Sequence, residues 1–196
     1  AEVNGLHIFN SGTTATGNGA TGGIAGMIKG TVGDAGTQGC LVTDTLVEGM
    51  VAGGIIGKGD NGSVTYGTNN LTVKNCTVAG NTVIKVPDLD LSYTSIANFD
   101  GIAAGIVGDY STAYQLIIED CIVKSGILVE NGKRTGGIIG WIASSNIAAK
   151  TTITNCQSFA EITSFRPAVN AGGIAGVVNN RAENFQLSNS VAGGSI

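Results

Sequence analysis

Few side chains in this sequence have the type and spacing that chemistry needs. Asp88 and Asp90 stand two apart on a stretch that reads as extended, so their carboxylates share a face. A hard cation suits such a pair, yet calcium takes about six to eight oxygen ligands. Two carboxylates therefore read as solvated surface acids. The chain has one histidine, His7, and no Cys-x-x-Cys, whereas a zinc site needs about three or four ligands. A Ser-His-Asp triad would have to recruit His7, close to residue 1 and read as mobile. Tyr93, near the two aspartates, and Trp141 are the aromatic candidates for contact with a partner. No metal, cofactor or catalytic residue is expected from these patterns.

A polysaccharide lyase or hydrolase built on a β-helix, or the carbohydrate-binding part of one, is the alternative to a non-catalytic module. Such enzymes set acids and bases in a groove along stacked coils. Here 14 acidic and 10 basic residues are scattered, with no carboxylate or basic ladder at a fixed spacing. The expectation is that the chain is not an enzyme.

The elements that carry these residues are organised by a repeated phrase. Thr135-Gly136-Gly137-Ile138-Ile139-Gly140 returns around Gly23, Gly54 and Gly173, and in shorter form as Ala104-Gly105-Ile106-Val107-Gly108. A second phrase alternates with it, as Lys74-Asn75-Cys76, Glu119-Asp120-Cys121 and Thr154-Asn155-Cys156. Gly39-Cys40 is a weaker copy, and Asn10-Ser11 and Asn189-Ser190 fit with serine in the cysteine place. Cys40 to Cys76 is 36 residues, Cys121 to Cys156 is 35, and Cys156 to Ser190 is 34. Self-similarity at such a period marks a repeat architecture.

Within the glycine phrase Ile24, Gly26 and Ile28 alternate, as do Ile138, Gly140 and Ile142, which is the strand period. The second glycine of each copy belongs where a backbone approaches closely. Asn10, Asn75, Asp120, Asn155 and Asn189 stand at bends, the residue types most tolerant of left-handed geometry. These features predict one all-β domain over 1–196, a right-handed parallel β-solenoid with repeats of about 35 residues divided into two half-coils. With each half taken as a coil, ten to eleven half-coils would reach roughly 50 Å. Ile24, Ile55, Ile106, Ile138 and Ile174 should form one inward ladder, and Cys40, Cys76, Cys121 and Cys156 another. On that count successive cysteines lie two coils apart, beyond disulfide reach, and the thiols stay free.

The alternation of Gly-Gly-Ile-x-Gly with Asn-Cys resembles the GLUG-type repeats of large bacterial surface and secreted proteins, with Ile24, Ile55, Ile106, Ile138 and Ile174 at a place where leucine is usual. The resemblance covers 10–189. It implies the company of adhesins, or the non-catalytic region of an immunoglobulin-cleaving metallopeptidase. Since no His-Glu-x-x-His occurs, peptidase chemistry is not expected in this chain.

Two stretches depart from the repeat. Gly57-Lys58-Gly59-Asp60-Asn61-Gly62 has the composition of half a calcium-binding nonapeptide, but it occurs once and reads as a turn. Residues 81–100 form an insertion, a loop on one face of the solenoid and the expected site of recognition; Tyr110 and Tyr114 would pack against it. Ala25, Ile56, Val107, Ile139 and Ala175 make an apolar row that is either an outward stripe for a partner or, preferably, covered. The row of Met27, Lys58, Asp109, Trp141 and Val177 varies in type, as solvent-facing positions do.

Net charge of −4 with 12% charged residues supplies no basic stripe for nucleic acid, and no apolar run is long enough to span a membrane. Mean hydropathy of +0.26 with little charge suits a Thr/Asn/Gly-covered extracellular or cell-surface protein. The start at Ala1 fits a processed, secreted chain. The expected function is a non-catalytic structural and adhesive module, a rigid spacer for a surface protein or filament. Its partners would be a protein or glycan at the cell surface and, through open solenoid ends, further copies of itself.

Overall fold

The computed structural model describes residues 2–9, 12–14, 19–34, 39–59, 70–87, 101–111, 114–143, 149–164, 170–179 and 184–196. Those residues form five parallel sheets, each taking one strand from each of five coils, and sheets I and II take a sixth from the coil that begins at Phe185–Ser188. Sheet I stacks Glu2–Val3, Gly30–Val32, Leu71–Lys74, Leu116–Glu119, Thr151–Thr154 and Phe185–Ser188. Sheet II stacks His7–Phe9, Leu41–Thr43, Thr77–Ala79, Ile122–Val123, Gln157–Ser158 and Val191–Ala192. Sheet III contains Gly12–Thr14, Leu46–Glu48, Val83–Lys85, Leu128–Glu130 and Glu161–Thr163. Sheet IV contains Ala20–Gly22, Val51–Gly53, Ile102–Ala104, Arg134–Gly136 and Asn170–Gly172. Sheet V is built from Ala25–Ile28, Ile56–Gly59, Val107–Tyr110, Ile139–Ala143 and Ala175–Asn179. This is the expected parallel β-solenoid.

One repeat is therefore one coil of five strands, which corrects the reading of each half as a coil. Six strands in sheets I and II make five steps, roughly 24 Å of stack rather than 50 Å. A halved count arises because both phrases mark corners of the same coil. The cysteine phrase turns the chain from sheet I to sheet II, and the glycine phrase turns it from sheet IV to sheet V.

Each corner has its cause in residue type. Asn75, Asp120, Asn155 and Asn189 all hold positive φ, at 51°, 54°, 52° and 49°. Gly5 takes this bend in the first coil at φ 62°. That places Leu6, ahead of the His7↔Leu41 pair, on the cysteine rung, so Ser11 is not the first-coil counterpart of the cysteines. Asn10 and Ser11 themselves lie outside the described residues. Ser190 does occupy the rung, ahead of the Gln157↔Val191 pair. His7, expected to be mobile, lies in a paired strand with its side chain exposed.

The core is a set of vertical rows. Val32, Val73, Ile118 and Ile153 fill the inner face of sheet I; Val42, Val78 and Val123 fill that of sheet II; Val47, Ile84, Val129 and Ile162 fill that of sheet III. β-Branched residues suit such rows because they pack well on a pleated face with little rotamer loss. The isoleucine ladder forms as expected: Ile24, Ile55, Ile106 and Ile138 each donate their N–H to the carbonyl of the next isoleucine, ending on Ile174. Ile55, Ile106 and Ile138 are wholly buried.

Cys40, Cys76, Cys121 and Cys156 are free and buried. Successive cysteines sit on adjacent rungs, about 4.8 Å apart along the stack rather than two coils apart. Their role is visible in Cys76, Cys121 and Cys156, whose thiols donate to the carbonyls of Lys74, Glu119 and Thr154, two residues back, at 3.2–3.3 Å. Ser190 makes the same bond to Ser188 at 2.9 Å. Beyond the first coil, where Leu6 stands, the rung takes a small donor, a condition cysteine and serine both meet. Burial pushes the Cys121 thiol well above its ordinary value and raises Cys40.

The insertion is shorter than 81–100. Gly80 and Asn81 form a turn and Val83–Lys85 is a regular strand of sheet III, so the coil runs on through 81–87, and 88–100 lie outside the described residues. The length excess between Cys76 and Gly105 hides this strand from sequence reading.

Candidate binding site on the fifth sheet

Sheet V presents a row in which Met27, Lys58, Asp109, Trp141 and Val177 are in-register neighbours. Two features of the chain force them together. The isoleucine ladder fixes the start of each strand, and Lys58, Asp109 and Trp141 all stand three residues beyond their isoleucine. The glycines between, such as Gly57 and Gly108, let sheet V lie against sheet IV. A Cβ on Gly57 would meet the backbone N of Thr21 at 2.6 Å, and one on Gly108 the Ala52 carbonyl at 2.9 Å, both atoms of sheet IV. The close approach expected of the second glycine is thus real.

Lys58 and Asp109 form an ion pair, Nζ to Oδ2, at 3.1 Å. Asp109 is 2% exposed, while the Lys58 side chain remains partly open to solvent. Ser111 donates its Oγ hydrogen to the same Oδ2 at 3.1 Å. The other oxygen, Oδ1, is buried and has no hydrogen-bond partner. A buried acceptor left unmatched costs about 1–3 kcal/mol or more when charged, so this atom calls for an explanation. On the next rung the Arg134 guanidinium, from sheet IV, stacks 4.2 Å from the Trp141 ring centroid. That contact fixes the ring and leaves Trp141 partly exposed.

The arrangement combines a donor, an acceptor and an aromatic surface within two coil rises. Among the described residues no group of three or more His, Cys, Asp or Glu is placed to hold a metal ion. The calcium candidates Asp88 and Asp90, with Tyr93, lie outside the described residues. Gly57–Gly59, read as a turn, belongs to a sheet V strand because Ile56 and Lys58 pair on both sides. Asp60–Gly62 lie outside the described residues. Ile56, Val107 and Ile139 are wholly buried, so that row is covered and offers no outward stripe. Tyr110 is buried and donates its hydroxyl to the Gln115 carbonyl at 2.8 Å.

Asp109, Ser111 and Arg134 were not singled out as site residues from sequence. Asp109 carried a faint signal, a charge directly after the second glycine with Lys58 at the same place one copy earlier. Arg134 carried none, since its partner ring belongs to another sheet.

No family model and no curated protein matches the chain. Among solved structures it is similar to one from Bacteroides ovatus, provisionally named an immunoglobulin A1 protease. The TM-score is 0.53 at 19% identity, over 94% of this chain and 49% of that one, so this chain spans about half the neighbour's length. A likeness at this identity concerns the fold.

Proposed function

We propose that the chain is a non-catalytic structural and adhesive module of an extracellular surface protein or filament, of the GLUG-repeat type. The observation that carries this reading is the in-register stack itself. Five sheets with continuous hydrogen-bond ladders and side-chain rows give a stiff spacer whose faces display residues at fixed intervals. Three cross-coil ion pairs, Lys74–Glu119 at 2.6 Å, Glu48–Lys85 at 3.0 Å and Lys58–Asp109 at 3.1 Å, each join in-register neighbours and so favour this register over slipped ones. Among the described residues no helix is long and apolar enough to cross a membrane.

Partners in this reading are a protein or glycan at the cell surface, met on a sheet face, and further copies stacked head to tail. The test is to couple the protein to beads and measure retention on mammalian matrix proteins and on plant, algal and bacterial polysaccharides, assaying the same reactions for cleavage products. Retention without cleavage supports the module. Depolymerisation abolished by one Asp, Lys or Arg substitution would overturn it in favour of the β-helix lyase or hydrolase.

A further inference from the structure

We propose that the cysteine row is a redox-sensitive clamp: in oxidising surroundings the disulfides Cys40–Cys76 and Cys121–Cys156 join adjacent coils. The clamp belongs to the stack itself and stands or falls apart from the proposed function. All four cysteines of the chain lie on this one row, each directly before its strand of sheet II. One coil per repeat sets neighbouring cysteines a single rung apart, whereas the expectation of free thiols rested on a separation of two. A Cα spacing of about 4.8 Å lies within the roughly 4.4–6.8 Å that a disulfide spans. Ladder bonds fix the alignment: Thr77 N–H donates to the Cys40 carbonyl at 2.8 Å, and Ile122 and Gln157 donate to those of Cys76 and Cys121 at 2.9 Å. The sulfur atoms meet as well. The Cys76 thiol is in hydrogen-bonding contact with those of Cys40 and Cys121, and Cys121 with that of Cys156.

The pairing follows from the row. Cys40 and Cys121 are two rungs apart, roughly 9.6 Å, so a sulfur reaches only the rung above or below. A central Cys76–Cys121 bond would strand the outer two thiols, and all four close only as Cys40–Cys76 with Cys121–Cys156. Every thiol is buried, so oxidation takes place while coils are forming or locally open. With glutathione disulfide as the oxidant, one thiolate of a pair attacks a glutathione sulfur and releases one glutathione. The second thiolate then attacks the protein sulfur of the mixed disulfide and releases the other. Two protein thiols lose two protons and two electrons, and the glutathione disulfide takes them up to become two thiols. Stacked side chains keep about the rung spacing, while a disulfide draws its Cβ atoms to about 3.5–4.5 Å. Closing a pair therefore pinches two coils together, and a strained bond is the more readily reduced. The place of each cysteine at a corner, outside the paired strand, gives the backbone room for that approach.

The purified chain is unfolded, reduced and refolded in glutathione buffers running from fully reduced to fully oxidised. Folded monomer is isolated by size exclusion and its free thiols are blocked with N-ethylmaleimide. Intact mass and non-reducing peptide mapping then count and locate the bonds. The expected result is four labelled thiols in the reduced buffer and none in the most oxidising one, with Cys40 bonded to Cys76 and Cys121 to Cys156. Circular dichroism should show the same strand content in both forms, and the oxidised form should have the higher urea midpoint. Dithiothreitol should return all four thiols without loss of strand content. Cys76→Ser should free Cys40 and keep the Cys121–Cys156 bond. The double variant Cys76→Ser/Cys121→Ser leaves Cys40 and Cys156 three rungs apart and should keep both thiols free.

Folded monomer with four labelled thiols at every buffer ratio overturns the inference, as do glutathione adducts in place of internal bonds. Bonds between non-adjacent cysteines, or a Cys76–Cys121 bond with the outer thiols free, overturn the pairing. Oxidised chain recovered only as unfolded or aggregated material overturns the clamp, because the stack then excludes the bond.

Discussion

Replacing Gly137 with alanine should cost far more than the same change at Gly173, although both open the Gly-Gly-Ile corner of their coils. A Cβ on Gly137 would stand 2.0 Å from the Gly173 carbonyl oxygen and 2.2 Å from Ser158 Oγ. The serine can rotate away. The carbonyl is backbone, on a coil held in register by the Gly137 N–H to Gly172 O bond at 3.0 Å. Relief therefore requires neighbouring coils to separate locally, losing ladder bonds and opening the isoleucine row. Overpacking a well-filled core costs about 1–3 kcal/mol and occasionally more. Gly137→Ala belongs at or above the top of that range, about 3 kcal/mol. Gly173, by contrast, would bring its Cβ against Ala192 Cβ at 2.5 Å and against no backbone atom nearer than 3.9 Å. Ala192 is exposed on the last coil and can yield. About 1 kcal/mol or less is expected there.

Urea unfolding followed by far-ultraviolet circular dichroism measures both losses, and hydrogen exchange by mass spectrometry locates them. Stability in a stacked array is approximately a sum over coils and their interfaces. Gly173→Ala should therefore speed exchange only in 170–196, whereas Gly137→Ala should open coils on both sides of it. Equal losses at the two sites, or a neutral Gly137→Ala, would refute the claim that close backbone approach is why the phrase carries glycine.

Three further outcomes are expected. Because burial raises the Cys121 pKa, thiol ionisation favours the unfolded chain; stability should hold below the unfolded thiol value near pH 8.5 and fall as pH rises beyond it, less steeply in Cys121→Ser, as measured by urea midpoints from pH 7 to 10. Asp44 is the opposite case. The Asn81 backbone N–H, donating to Oδ1 at 2.9 Å, and the Thr43 hydroxyl hold its carboxyl below the usual value, so its contribution is present above about pH 4 and lost as pH falls through the lowered value; Asp44→Asn should flatten the acid limb of the stability curve. Lys85 pairs in register with Glu48 and Glu130, so Lys85→Glu would line up three carboxylates and lower thermal stability, with partial recovery in the Glu48→Lys double variant.

The corners were the legible part of the fold, because each depends on a few residue types. Asn75, Asp120, Asn155 and Asn189 announce left-handed bends, and the Gly-Gly-Ile phrase announces a place where two chain segments touch. The coil count was harder. A short strand between two corners carries only about three residues, too few for alternation to show whether one corner or five separates two equivalent points. Val83–Lys85 illustrates the difficulty: three residues of sheet III were absorbed into an insertion because the spacing around them was long. Pairing supplied the missing information, since Val83 stacks between Leu46 and Leu128, neither of which shares a motif with it.

The candidate site was less legible for a related reason. Its members come from three coils and two sheets, and a repeat makes equivalent positions look interchangeable. Met27, Lys58, Asp109, Trp141 and Val177 read as a variable solvent row, which holds for Met27 and in part for Lys58, Trp141 and Val177 but not for Asp109, which is buried. What sequence variation conceals is that rows in a solenoid are vertical neighbours, so one lysine and one aspartate in consecutive copies become an ion pair. The same logic separates scaffold from site. Where a row repeats one residue type, as the isoleucines and cysteines do, it serves the stack. Where a row breaks its type and still buries a charge, as Asp109 does, the pair it forms fixes the register but adds no stability that apolar packing at that place would not give. Replacing Lys58 and Asp109 together with leucine and valine should therefore leave urea stability unchanged or higher, as exchange of buried ion pairs for apolar groups often does. A loss comparable to breaking the pair singly would mean that Asp109 is there for the fold.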